Sequence, residues 1–117
     1  MGYDIYAYAV ERAPADPTRR LDVARAGDRA HRIAYLEMPA RSPDARPLFE
    51  ALDAIEFDGV VSGAPGMRYF HRDDVSRALH RLCADYIDGR ASARTVRFLA
   101  ETAERMSGCD WVYIEFF

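Results

Sequence analysis

The sequence predicts an α+β fold: one domain over residues 1–117 whose mostly antiparallel sheet of about four to six strands includes both chain ends. Two long C-terminal helices are expected to pack on one face of that sheet. Three observations carry the prediction. Residues 3–11, YDIYAYAVE, alternate and are rich in Tyr, Ile and Val. The last nine residues, CDWVYIEFF, alternate in the same way. Between them, two segments with apolar residues at 3.6-residue spacing run from Asp73 to Gly89 and from Ser92 to Gly108.

The first strand places Tyr3, Ile5, Ala7 and Ala9 on one side and Asp4, Tyr6, Tyr8 and Val10 on the other. Pro14 and Pro17 then break the chain. Residues 17–26 read as helix from Asp16 and Pro17, or as strand from Leu21 and Val23, which share no helical face. The strand reading, with Gly27 and Asp28 in a turn, is preferred. Residues 32–38, RIAYLEM, carry apolar residues on both sides, as an interior strand does. A short helix is expected from about Pro47 to Ile55, with Leu48, Leu52 and Ile55 on its apolar side.

Phe57 to Phe70 reads as two short strands around a turn from Gly63 to Gly66. The next helix has Asp73 as expected N-cap, Asp74 suiting the helix dipole and Gly89 at C′. Val75, Ala78, Leu79, Leu82, Cys83, Tyr86 and Ile87 fall on its apolar side. In the last helix Ser92 is the expected N-cap and Gly108 the stop. Val96, Leu99, Ala100, Ala103 and Met106 form its apolar face. Phe98 is expected outside that face, among Arg94, Glu101, Thr102 and Arg105. The closing strand alternates Val112, Ile114 and Phe116 with Trp111, Tyr113, Glu115 and Phe117. The two terminal strands are expected inside the sheet and next to each other.

Composition excludes several classes. Half the residues are hydrophobic and 30% charged, as in ordinary globular domains. The chain contains no Lys, Asn or Gln, so every basic residue except the three His is Arg. Biased bacterial coding explains this most simply. With a net charge of −3 there is no global basic field for a nucleic-acid backbone. Arg68, Tyr69, Phe70 and Arg72 come close to a nucleic-acid patch, but Asp73 and Asp74 cancel their charge. Cys83 and Cys109 make no disulfide framework. No apolar run reaches membrane-spanning length and no signal-peptide pattern opens the chain, so a cytoplasmic location without membrane partners is expected.

Catalytic motifs fare no better. Ser62 lies in GVVSG, which is not G-x-S-x-G, and the following helix starts too late for a nucleophile elbow. The glycine turn cannot be a Walker A loop without lysine. His71, Asp73, Asp74, His80 and Cys83 form a metal-like cluster, but their spacing matches no common ligand pattern. A histidine beside a helix cap accounts for His71 more simply. A small enzyme or metal-dependent regulator using His71, Asp73 and His80 is the alternative reading, and no cofactor is expected.

What remains is aromatic surface. If helices cover one sheet face, then Trp111, Tyr113, Glu115 and Phe117 line the other, joined by Asp4, Tyr6 and Tyr8. Aromatic patches with a few carboxylates are typical of protein-binding hot spots and favour an Arg- or Lys-rich partner. Alternatively the 17–56 region covers this face and makes it core. The expected function is a small non-enzymatic bacterial interaction protein, in the manner of an immunity or antitoxin-like protein that neutralises a toxin with a basic surface. Tyr6, Tyr8, Phe98, Trp111, Tyr113 and Glu115 are its candidate partner-binding residues. A homodimer through the same face is the third reading.

The missing ligand spacing predicts that protein purified without chelators or a polyhistidine tag carries no stoichiometric metal. Elemental analysis checks this, and one equivalent of zinc, iron or manganese lost on His71→Ala would favour the regulator instead.

Overall fold

The computed structural model describes residues 3–12, 21, 30–38, 45–52, 66–106 and 108–116. Along them the chain forms β1 Tyr3–Val10, β2 Ala30–Met38, α1 Ala45–Ala51, β3 Gly66–His71, α2 Arg72–Ile87, α3 Ala93–Arg105 and β4 Trp111–Phe116. The strands make one four-stranded sheet in the order β2-β1-β4-β3, with every pairing antiparallel. The α+β class is therefore as the sequence predicts, with two long helices near the C-terminus. Apart from Leu21, which is in no strand, the expected strand over 17–26 lies outside the described residues, as do the strand before Gly63, Ser62 and Phe117.

The two terminal strands pair with each other at the sheet centre, from Ile5 opposite Phe116 to Val10 opposite Trp111. Their alternation explains the layering. Ile5, Ala7 and Ala9 of β1 and Val112 and Ile114 of β4 are wholly buried in one core with Leu82 of α2 and Leu99 of α3. Phe70 of β3 and Leu36 of β2 extend this core sideways. Each strand's intervening residues point to the other face.

β2 corrects the expectation of an interior strand, because it lies at the edge of the described sheet. Its pairing with β1 shifts between Ala7 opposite Ala34 and Tyr8 opposite Arg32, so Ile33 is an extra residue in a bulge. The bulge buries Ile33 and Ala34 together. Apolar residues on both sides of this segment thus reflect a register shift, while Tyr35 and Glu37 are exposed. α3 runs beside β2 and ties down its backbone. Arg105 Nη1 donates to the Ile33 carbonyl at 3.0 Å, and Arg94 donates to the Glu37 carbonyl.

The N-cap of α2 is His71, not Asp73. The Asp73 backbone N–H donates to His71 Nδ1 at 3.2 Å, and the His71 N–H donates to the Asp74 carboxylate at 3.1 Å. This is a reciprocal capping box with imidazole in the role usually held by a hydroxyl. Gly89 is the expected C′ residue, with φ of 78°. Its N–H donates to the Tyr86 carbonyl at 3.1 Å and the Arg90 N–H to the Asp85 carbonyl at 2.7 Å, a Schellman ending. The last turn of α2 runs beyond the core. Tyr86 is 50% exposed and Ile87 82%, so neither belongs to the buried side that periodicity gave them. Val75, Ala78 and Leu82 do.

Phe98 is the largest correction: it is only 2% exposed. The buried stripe of α3 is Thr95, Phe98, Leu99, Thr102 and Met106, rotated from the expected one so that Val96 and Ala103 are half-buried at its border. Two threonines make this possible. Thr95 Oγ1 donates to the Ser92 carbonyl at 2.8 Å and Thr102 Oγ1 to the Phe98 carbonyl at 2.7 Å. Each hydroxyl is satisfied within its own helix, so burial carries no unpaired polar group. Ser92 is the N-cap, as expected, and the Thr95 N–H donates to its Oγ at 3.4 Å.

Two substitutions separate this packing from the one periodicity implies. Phe98→Ala is expected to cost about 3–5 kcal/mol and Leu82→Ala about 2–5 kcal/mol by leaving cavities. Ile87→Ala, at an exposed apolar residue, should stay within about 0.5 kcal/mol. Urea denaturation midpoints check all three, and equal midpoints for Phe98→Ala and wild type would refute the buried stripe.

Candidate functional site

The sheet face turned away from α2 and α3 is a lattice of aromatic residues set by register. Tyr8 lies opposite Tyr113, and Tyr113 opposite Tyr69, so one rank of tyrosines crosses β1, β4 and β3. In the next rank Tyr35 of β2 lies opposite Tyr6, and Tyr6 opposite Glu115. Beyond these, Asp4 lies opposite Glu37 at one end, and Trp111 lies between Val10 and His71 at the other. Period-two alternation in each strand supplies the side chains, and pairing of the two terminal strands brings them together.

The rings touch in sequence. Tyr35 and Tyr6 stack at 5.0 Å between centroids with 26° between their planes. Tyr6 and Tyr8 are 6.4 Å apart, Tyr8 and Tyr113 6.0 Å, and Tyr113 and Tyr69 5.0 Å. Trp111 meets His71 edge to face at 5.2 Å. The Arg32 guanidinium sits 5.6 Å from the Tyr6 ring centre, within cation–π range.

Accessibility is graded across this lattice. Tyr113 is wholly buried, and Val10 and Ala30 cluster with it. Tyr8, Tyr69, Trp111 and Leu21 pack against that cluster and are half-buried. Glu115 is only 6% exposed, and Tyr113 donates its phenol proton to Glu115 Oε1 at 3.2 Å. Tyr113 and Glu115 are thus interior residues, which corrects their expected place on an open surface. Toward β2 the lattice opens: Tyr6 and Asp4 are half-buried, Glu37 is exposed and Tyr35 is 42% exposed.

This open corner is where electrostatics are unbalanced. Asp4 and Glu37 stand directly opposite one another on neighbouring strands, a like-charge pairing that ordinarily destabilises a sheet. Tyr35 donates its phenol proton to Asp4 Oδ1 at 2.7 Å. Neither carboxylate has a cationic partner among the described residues. The hydrogen bond to Asp4 pushes the Tyr35 phenol up to about 12, with burial and the Asp4 and Glu37 charges acting in the same direction. Burial is the main cause that raises the Tyr8 and Tyr69 phenols, and Glu115 adds to the effect at Tyr8.

Around the outer edge of β2 the corner continues into a groove of about 300 Å³ against α3. Tyr35, Glu37, Arg94, Arg97 and Glu101 line it, and Phe98 belongs to its wall. Phe98 is therefore on the helix side of the sheet and is no part of the aromatic lattice. Sequence reasoning missed Tyr35, Asp4 as a tyrosine partner and Glu37. The signal available was the alternation Tyr35, Glu37 in a strand paired with Asp4, Tyr6, and reading it required the register.

The metal-like residues do not converge. His80 lies nine positions after His71, the N-cap of α2, or about 13 Å of helix rise. His71 Nδ1 is engaged in capping, and among the described residues no three His, Cys, Asp or Glu side chains gather as metal ligands. No helix among the described residues is long and apolar enough to cross a membrane. Comparison with protein-family models, curated proteins and solved structures gives no match in any of the three.

The Tyr35–Asp4 bond predicts a pH dependence at the alkaline end. The folded phenol titrates at about 12, above its ordinary value of about 10. Its contribution to stability is therefore complete below about pH 10 and is lost as pH rises toward about 12. Phenolate absorbance, with the Tyr35→Phe curve subtracted, isolates this group. Asp4→Asn should return its titration toward about 10, whereas an unchanged midpoint would show that the carboxylate does not hold the phenol.

Proposed function

We propose that this chain is a non-enzymatic binding protein that docks a partner protein with a basic surface onto the open corner of its tyrosine lattice. Its role is that of an immunity or antitoxin-like protein, which neutralises a toxin by covering it. The observation that carries the reading is the like-charge pair Asp4 and Glu37 beside the exposed Tyr35, which stacks on the half-buried Tyr6. Stacked tyrosines offer rigid contact area at low entropic cost, and adjacent carboxylates select arginine or lysine. Arg32 over Tyr6 shows within the chain the kind of contact that a partner's guanidinium would make.

The same charges argue against self-association through this corner. A twofold contact centred on Asp4 and Glu37 would bring four carboxylates together, with the nearby cations Arg32, Arg94 and Arg97 at its rim. A net charge of −3 adds to attraction for a basic partner. Trp111 and Tyr8 support the corner from within the lattice, as Tyr113 and Glu115 do.

The test is affinity capture from cells of the source organism, comparing the wild-type chain with Asp4→Asn/Glu37→Gln and with Tyr35→Ala. A protein with a basic surface should be retained by wild type, and its affinity should fall at least tenfold for either variant. Both variants should keep wild-type circular dichroism. Equal retention by all three proteins would remove the corner from the interface. Sedimentation velocity showing a dimer dissociated by Tyr35→Ala would replace the reading with the homodimer.

A further inference from the structure

We infer that His71 is a pH-sensitive cap, so that one protonation event exchanges the hydrogen bond starting α2 for an ion pair and reports itself at Trp111. The inference is independent of the binding corner, which lies at the opposite end of the lattice. Its basis is a competition for one atom. His71 Nδ1 accepts from the Asp73 backbone N–H at 3.2 Å, which requires Nδ1 to carry no proton. The same Nδ1 lies 3.4 Å from Asp73 Oδ2, a carboxylate oxygen that can accept but not donate to it. Neutral imidazole therefore caps the helix, and imidazolium must give up the cap and donate to Asp73 instead. Histidine is the side chain whose ordinary titration falls between about pH 5 and 8.

The surroundings hold the ring in place through this exchange. The His71 N–H donates to the Asp74 carboxylate, which is itself paired with Arg77. Arg72 anchors the junction to β4, because its N–H donates to the Asp110 carbonyl at 2.8 Å and its guanidinium lies 3.6 Å from the Asp110 carboxylate. From β4, Trp111 faces the ring edge-on at 5.2 Å and stands opposite it in register. The charged and titratable groups around the junction are thus Asp73, Asp74, Arg72 and Arg77 on α2, Asp110 and Cys109 before β4, and Glu11 after β1. Glu11, Asp110 and Arg72 all act on the buried Cys109 thiol, which burial pushes up. Four carboxylates against two arginines leave this set net negative, so it accommodates an added positive charge and protonation removes the cap without expelling the ring.

Proton exchange at His71 is reversible and needs no co-reactant. What changes is the Asp73 amide, which loses its acceptor, and the indole, which gains a cationic neighbour. The experiment is a titration of the full chain from pH 8 to pH 5, following the nitrogen-15 correlated amide spectrum and tryptophan fluorescence. Trp111 is the chain's sole tryptophan, so the emission has one source. The Asp73 amide proton should move upfield and lose protection from exchange, and Trp111 emission should fall with the same midpoint. His71→Asn installs a favoured N-cap that does not titrate, and it should abolish both transitions while preserving the helix. His71→Ser serves the same purpose if the asparagine variant does not fold. His80→Ala should leave both transitions intact. A flat Asp73 amide in the wild type, or a transition that survives both cap substitutions, overturns the proposal.

Discussion

The pairing of β1 with β4 is the constraint on which the rest of the structure depends. It joins residues more than a hundred positions apart, at a loop-closure cost that only extensive burial can offset. The return is a central ribbon buried on its helix side by Ile5, Ala7, Ala9, Val112 and Ile114. The same register lays Tyr8 against Tyr113 on the far side. A slip of one residue would exchange these sets, placing tyrosines under the helices and alanines in the lattice. Core and candidate site are therefore two faces of one pairing decision.

That dependence explains what was legible in the sequence. Fold class, the central place of both chain ends, the Gly89 ending and the Ser92 cap all follow from local pattern, and the structure has them. Errors arose where a side chain's polarity was judged without its hydrogen-bond partner. Counting Thr102 among the polar neighbours of Phe98 leaves that ring outside the apolar face, whereas Thr95 and Thr102 both lie in the buried stripe. Each hydroxyl bonds a carbonyl of its own helix, which turns threonine into a core residue. Tyr86 and Ile87 failed for the complementary reason, since periodicity carries no information about where the neighbouring layer stops.

The candidate site was legible only in part. Tyr6, Tyr8 and Trp111 lie on the lattice face where strand alternation puts them. Tyr35 and Glu37 were missed because the bulge at Ile33 disguises β2 as a strand buried on both sides. Tyr113 and Glu115 were placed on the right face but at the wrong depth. Depth across a sheet depends on what lies over it, and strand alternation is silent on that point. Asp73 as cap was the expected choice by residue preference. His71 takes the role because β3 delivers it directly to the helix start with its ring held by Trp111.

The gradient across the lattice then has a physical meaning. At the covered end a buried carboxylate, Glu115, is tolerated because Tyr113 donates to it, so the lattice there is a satisfied interior. At the β2 end the same residue types meet water. There Tyr35 donates to Asp4, yet Glu37 opposite leaves the pair one cation short of balance. Arginine in place of either carboxylate would remove the like-charge pairing, and arginine is the cation in most ion pairs among the described residues. Arg94 is already close enough to donate to the Glu37 backbone carbonyl, but its guanidinium is engaged there and forms no ion pair with the Glu37 carboxylate. The like-charge pairing of Asp4 and Glu37 beside the exposed Tyr35 is the observation behind the proposed cationic partner.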